Sequence, residues 1–360
     1  MNRSEVLAWL MEESPDRLET LWNLADEARR KYVGNCVHIR GLVEFSNNCR
    51  SHCHYCGMRS DRKSLTRYRM TEEEIITSAR ESVNRGYGSI VMQSGEDPEL
   101  DIGRLAGIIR TIKRDTSLAV TLSCGERSEE ELAALHEAGA DRYYLRFETS
   151  DRGLWKRIHP SGMTDAQHRL DILPRIRALG YETGSGILVG IPGQTLSSLA
   201  EDLEWFQRLD LDMIGCGPYV PHKDTPSGHA YVHPDSRGMN ELQTPNTNRM
   251  TYKVMALARL LCPSVNIPTT TSLATLDLKT GHHLSLQRGA NVLMVNLTPL
   301  RYRSLYEIYP SKAGIDESAQ AQLDRVKSLL CGLGRIAGEG PGTSPNYEAR
   351  HQTAASSPAR

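Results

Sequence analysis

The chain has 360 residues, 39% of them hydrophobic and 24% charged, with a formal net charge of −1. That balance suits a soluble protein with a full-sized core and leaves no basic field for nucleic acid. No run of about 18 apolar residues is present, which excludes a spanning helix and a membrane partner of that kind.

The opening "MNRSEVLAWLMEESPDRLE" turns acidic too early for a secretory signal or a transit peptide, so a cytoplasmic location is expected. Residues 1–35 predict two helices packing on the main body of the chain. The second has Ser14 as N-cap, Pro15 at its first position, and Leu18, Leu21 and Leu24 as its apolar face.

From 36 to 336 one rhythm repeats: a β-rich run, a loop of special residues, an amphipathic helix. Strands are predicted over 37–45, 89–94, 118–124, 142–148, 183–190, 212–219, 266–271 and 290–296. Thr71 with Glu74, and Ser128 with Glu131, read as capping boxes opening two of the helices, and Gly139 reads as the stop of the second. Eight such units with near-continuous apolar strands argue a parallel (β/α)8 TIM-type barrel with an N-terminal helical extension. Residues 225–247 are polar and turn-rich and predict a long loop. Residues 337–360 lack a core pattern and predict a disordered tail.

Five of the eight cysteines, Cys36, Cys124, Cys216, Cys262 and Cys331, are scattered singly, unlike the even framework of a small secreted scaffold. The last four read as small hydrophobes rather than ligands. The other three, Cys49, Cys53 and Cys56, crowd into "NNCRSHCHYCG" at the end of the first strand, the active-site face of such a barrel. A structural zinc site takes four ligands, usually as two separated pairs. His52 or His54 would have to be the fourth, and neighbours on so short a loop do not easily face one tetrahedral ion. A redox disulfide uses only Cys53 and Cys56 and leaves Cys49 unexplained. A 4Fe–4S cubane uses all three thiolates and leaves one iron open for a ligand.

The C-x3-C-x2-C spacing, with Tyr55 just before the last cysteine, resembles the signature of the radical S-adenosylmethionine (SAM) superfamily. The resemblance implies that the open iron chelates the SAM amino and carboxylate groups and that one electron releases a 5′-deoxyadenosyl radical. "QSGEDPE" (93–99) resembles the superfamily motif that receives the SAM amino group, which would involve Ser94 and Glu96; an ordinary glycine turn is the plainer alternative. Arg146 and Glu148 in "YYLRFETSD" are two apart on a predicted strand and so share a face. A charge pair inside a barrel is costly without a task, though a structural ion pair stays open as a reading. "GILVGIPGQT" (186–195) resembles the stretch beside the adenine, and is equally a well-formed strand–helix turn. Thr270, Thr271, Tyr302 and Tyr306 fall near the ends of the last two strands, either as ligand hydroxyls or as plain β-formers and packing aromatics. His282 and His283 read as surface residues.

Taken together, "EFSNNCRSHCHYCGMRSDRKSLTRYRMT" (44–71), "GADRYYLRFET", "GYETGSGILVGIPGQT", "DMIGCGPYVPHKDTP" and "GANVLMVNLTP" resemble the HydE family of FeFe-hydrogenase maturases over most of the chain. The resemblance implies SAM contacts from Tyr55, Ser94, Glu96, Arg146, Glu148 and Arg169. It also implies a substrate cavity lined by Arg59, Gln93, Thr121, Thr270, Thr271, Met294, Tyr302 and Tyr306. The substrate would be a small organometallic or cysteine-derived molecule, a cysteine-bound iron with carbonyl and cyanide ligands, used in building the hydrogenase H-cluster. Other hydrogenase maturation proteins would be partners. Some members hold a second cluster on C-terminal cysteines; the matching stretch has only Cys331, so a single 4Fe–4S cluster is expected. Biotin synthase and methylornithine synthase share the barrel and the spacing and are the alternative readings. The first needs further strand cysteines that have no match here, and the second needs groups that grip an amino acid. A pure electron-transfer or scaffold protein would have no reason to leave an iron open.

Overall fold

The computed structural model describes residues 1–160, 166–232 and 243–356. Its strands are β1 (Cys36–Ser46), β2 (Ser89–Ser94), β3 (Ala119–Ser123), β4 (Arg142–Tyr144), β5 (Glu182–Val189), β6 (Met213–Pro218), β7 (Pro268–Thr269), β8 (Val292–Asn296) and a short β9 (Ile336–Ala337). They pair in the order β6-β5-β4-β3-β2-β1-β8-β7, and every pairing is parallel. A parallel bridge from Met213 to Asn266 carries the ring on from β6 towards β7, with Asn266 N–H donating to the Asp212 carbonyl at 2.8 Å. The expected TIM-type barrel is therefore present, eight strands long and nearly closed.

The β4 and β7 strands are much shorter than their sequence suggests. The β4 run stops at Tyr144 because the chain leaves the ladder on its way to Glu148, which sits at φ +62° and touches β5 only through one bridge to Ile187. The β7 run stops because Thr270 becomes a helix N-cap, its hydroxyl accepting from Leu273 N–H, and the chain coils from Thr271 to Leu276. Both capping boxes form: Glu74 and Glu131 close back on the N–H groups of Thr71 and Ser128. Gly139 takes φ +107° just after its helix, a conformation that L side chains resist.

Outside the barrel lie α1 (Arg3–Met11) and α2 (Pro15–Val33). Leu18 and Leu21 are buried, but Leu24 is 42% exposed, and Trp22 and Ala25 are buried in its place. Steps of three residues lag behind the 3.6-residue turn, so a third leucine six positions on has rotated out of the face. Ser14 precedes α2 as expected, although its side chain makes no cap hydrogen bond.

Residues 337–356, expected to be disordered, are ordered. β9 pairs with β1, and residues 345–356 form a helix. The segment between them plugs the N-terminal end of the barrel. Arg40 and Asn266 donate to the Gly342 carbonyl at 3.2 and 2.9 Å, Arg142 donates to Pro341 at 2.9 Å, and Ser344 N–H donates to Glu182 at 3.0 Å. A plug held through its own backbone carries no hydrophobic period, which is why it reads as a tail. Residues 357–360 lie outside the described residues. Within the expected loop 225–247, residues 226–232 are helical, and 233–242 lie outside the described residues. His282 is not a free surface residue: its Nδ1 lies 2.9 Å from the Thr269 hydroxyl, and burial pushes its pKa down to about 4.

Candidate active site

The chain leaves β1 at Ser46 and winds through residues 47–70 across the C-terminal mouth of the barrel. Asn47 pins this loop at both ends: its amide donates to the Thr66 and Leu305 carbonyls at 2.9 and 2.8 Å, and its carbonyl oxygen accepts from Tyr68 N–H at 2.8 Å. Arg67 gathers the carbonyls of Asn47, Met58 and Arg59 at 2.7, 2.8 and 2.7 Å. Such saturation of backbone acceptors gives a loop without regular structure a single shape.

Cys49, Cys53 and Cys56 ride on this loop, and all three thiols are free. Burial raises each of them. Cys56 is pushed up to about 12, with Cys49 beside it adding to the effect, and Cys53 lies well above the usual thiol range, with Cys56 next among the causes. Three half-buried thiols that repel one another as thiolates are a donor set that a polynuclear cation would relieve, and binding one there releases protons. Among the described residues no three His, Cys, Asp or Glu side chains converge on a point suited to a single ion. The donor set suits a thiolate-held iron–sulfur cluster.

Charged groups ring the triplet. Glu96 accepts from the Ser51 hydroxyl at 2.9 Å and from Arg169 at 3.5 Å. Arg169 also donates to Glu126 at 2.6 Å and to the Arg146 carbonyl at 2.7 Å, with its guanidinium 4.7 Å from the Trp155 ring centroid. Arg146 Nε donates to both oxygens of Glu148 at 2.9 and 3.0 Å. The Tyr55 hydroxyl lies between Glu148 and His159, 3.4 and 3.2 Å away. Burial, then Arg169, hold His159 well below its ordinary pKa, so that ring is neutral. These paired acids and guanidiniums have the charges to exchange partners with a ligand carrying an ammonium, a sulfonium and a carboxylate.

Below this ring the barrel encloses a cavity of about 310 Å³, near the lower end of small-ligand sites. Tyr55, Cys56, Ser94, Arg146 and Glu148 reach it from above; Gln93, Thr270, Thr271, Met294 and Tyr306 line it further in. Three residues expected in the cavity are elsewhere. Arg59 turns to Asp61 in a two-point ion pair at 2.5 and 2.7 Å. Thr121 is fully buried in β3, its hydroxyl without a partner, and does not line the cavity. Tyr302 lies outside: its ring stacks on Tyr68 at 4.5 Å and its hydroxyl donates to Glu74.

Among the cavity residues missed from sequence are Tyr144, Glu44, Lys312 and Tyr309. Glu44 and Lys312 form a buried pair at 2.7 Å, with Asn296 donating to the same carboxylate at 3.0 Å. Glu44, near the end of the first strand, and Tyr144, two before Arg146, were legible by alternation. Lys312 comes from a loop far along the chain and carried no signal.

A sequence profile of the Radical SAM superfamily matches residues 43–206. The chain is 45% identical over 320 residues to the FeFe-hydrogenase maturase subunit HydE of Thermotoga maritima, spanning 89% of this chain and 87% of that protein. It is 25% identical over 358 residues to 3-methylornithine synthase of Methanosarcina acetivorans, spanning 98% and 93%. A crystal structure of methylornithine synthase superposes with a TM-score of 0.79 at 24% identity, over 98% of this chain and 96% of that one, a likeness of fold.

Proposed function

The chain belongs to the radical SAM superfamily and, within it, to the HydE family of FeFe-hydrogenase maturases; on that premise we propose that it holds one 4Fe–4S cluster on Cys49, Cys53 and Cys56 and uses SAM on a cysteine-bound iron carbonyl cyanide precursor of the H-cluster. That it is a radical SAM enzyme follows from the family. The observation that supports the finer reading is that Cys56, on the loop that also bears the free thiols of Cys49 and Cys53, borders a cavity lined by Tyr55, Arg146 and Glu148.

A cluster bound there supplies the electron that splits SAM into methionine and a 5′-deoxyadenosyl radical. The chain's own groups do the rest. Glu96 accepts from the N–H groups of the SAM amine, and Arg169 donates to its carboxylate, each giving up part of its present pairing. Glu148 and Tyr55 hold the ribose side over the cavity. Gln93, Thr270, Thr271 and Tyr306 present amide and hydroxyl groups to the iron precursor, and Met294 packs against it. The roofed cavity keeps water away from a reactive carbon. With Cys331 exposed and alone in 311–331, the reading includes no second cluster.

The test is anaerobic turnover of reconstituted protein with dithionite, SAM and the cysteine-ligated iron dicarbonyl cyanide complex. An adenosyl–cysteine adduct by mass spectrometry, and a new low-spin iron signal by EPR, are expected only with every component present. If lysine rather than the iron complex stimulates 5′-deoxyadenosine formation, the enzyme is an amino-acid mutase on the same barrel and the maturase reading is wrong.

A further inference from the structure

The inside of a parallel barrel is ordinarily filled by side chains from every strand. Here two adjacent strands withdraw theirs. Gly184 and Gly186 on β5, and Gly215 and Gly217 on β6, alternate along the barrel wall, and Gly215 and Gly217 border the cavity. Tyr144, the last residue of β4 and the register partner of Gly184, lays its ring across this glycine surface. A β-carbon on Gly184 would fall 2.7 Å from Tyr144 Cδ2, and one on Gly186 or Gly215 would run into the Tyr144 hydroxyl. Three positions without side chains are therefore what lets the phenol reach so far in.

The hydroxyl at the end of that reach is only half used. It accepts from Arg146 Nη1 at 3.2 Å, and its own hydrogen meets no acceptor among the described residues, while the residue lines the cavity. An O–H that faces a cavity and has no protein acceptor gains a partner when a ligand atom is placed opposite it. A guanidinium behind a phenol also makes the phenol a better donor, so the corner favours an anionic acceptor.

We propose that Tyr144 is a specificity-determining residue, its O–H donating to an anionic acceptor atom of the substrate beside Arg146. This rests on the reading of the cavity as the substrate chamber. Two parts of a cysteine-bound iron carbonyl cyanide offer that chemistry: the nitrogen of a metal-bound cyanide and a carboxylate oxygen of the cysteine.

Tyr144→Phe removes the hydroxyl and keeps the ring on its glycine surface, so the fold is retained. In the reconstituted holoenzyme, the KM for the iron complex is expected to rise about tenfold, or ~1.4 kcal/mol, while the KM for SAM moves less than about twofold. Repeating the comparison with the cysteine carboxylate as its methyl ester separates the two acceptors. If the tenfold ratio disappears, the acceptor is the carboxylate; if it persists, the acceptor is the cyanide. An unchanged substrate KM for Tyr144→Phe with both forms overturns the proposal and leaves Tyr144 as a filler of the barrel wall. If the parent enzyme responds to lysine and not to the iron complex, the maturase reading fails, and the same KM ratio measured on lysine still decides the role of Tyr144.

Discussion

Gly95 lies directly against Cys49: a β-carbon built on Gly95 would fall 2.8 Å from the Cys49 Cβ and collide with the Asn48 carbonyl. The end of β2 thus forms a wall for the cysteine loop, reinforced by Gly95 N–H donating to Ser46 at 3.1 Å and Arg50 N–H to Glu96 at 2.9 Å. Gly95→Ala is expected to push Cys49 out of line, cutting bound iron and sulfide by more than half, at a stability cost of about 1–3 kcal/mol. Single Cys→Ser changes at 49, 53 or 56 should abolish both the cluster and SAM cleavage, whereas Cys331→Ser should leave roughly four irons per chain. Full iron content in Gly95→Ala, measured beside its thermal melt, would show that the wall does not shape the site.

Tyr302 and Tyr306 are four apart and face different surroundings. Tyr306 is 1% exposed and lines the cavity, while Tyr302 stacks on Tyr68 and bonds Glu74. Tyr306→Phe should lower kcat/KM for the iron complex by about tenfold or more, and Tyr302→Phe should leave it within about twofold while costing ~1 kcal/mol of stability. Equal losses in the two variants would contradict this division.

Asp97, fully buried, holds the β1 end to the loop. It takes two bonds from Arg69 at 2.7 and 2.8 Å and one from the Ser46 hydroxyl at 2.9 Å. Burial works to raise its pKa, but these partners, Arg69 first, outweigh it and hold the carboxyl below its ordinary 3.8. A lowered native pKa means stability that is present above about pH 4 and is lost as pH falls through the native value. Asp97→Asn should therefore melt several degrees below the parent at pH 7, and the gap should narrow towards pH 3. A gap independent of pH would assign the loss to packing instead.

At the opposite end of the barrel, Arg142 and Glu182 form a pair at 2.5 Å with side chains 2% and 3% exposed, roofed by residues 341–344. Glu182→Gln leaves a buried guanidinium without its counter-charge and should cost about 3–5 kcal/mol in urea unfolding. Ending the chain after residue 337 wets the same pair and should lower the melting temperature as well. A loss below about 1 kcal/mol in Glu182→Gln would mean that water already reaches the pair.

Local signals were readable in the chain because local physics writes them. The capping boxes at Thr71 and Ser128, the stop at Gly139 and the eight apolar runs each depend on neighbours within about four residues. The cysteine triplet is legible for a related reason: its three thiols lie close together in sequence on one loop. The candidate cavity was legible only in part. Gln93, Thr270, Thr271, Met294 and Tyr306 meet in it, whereas Arg59, Thr121 and Tyr302 do not, since a residue type on a strand or loop does not say which way the side chain finally turns.

What the sequence determined by itself was the repeated strand–helix unit, the barrel it closes into and the cysteine triplet, all set by short-range periodicity and spacing. Only the tertiary structure decided the rest: Glu44 meeting Lys312, 268 positions away, Tyr144 lying across glycines from two other strands, and a glycine-rich C-terminal stretch plugging the barrel floor. Each joins groups distant along the chain, and such contacts take their energy from burial, charge and backbone hydrogen bonds that exist only once the barrel has formed.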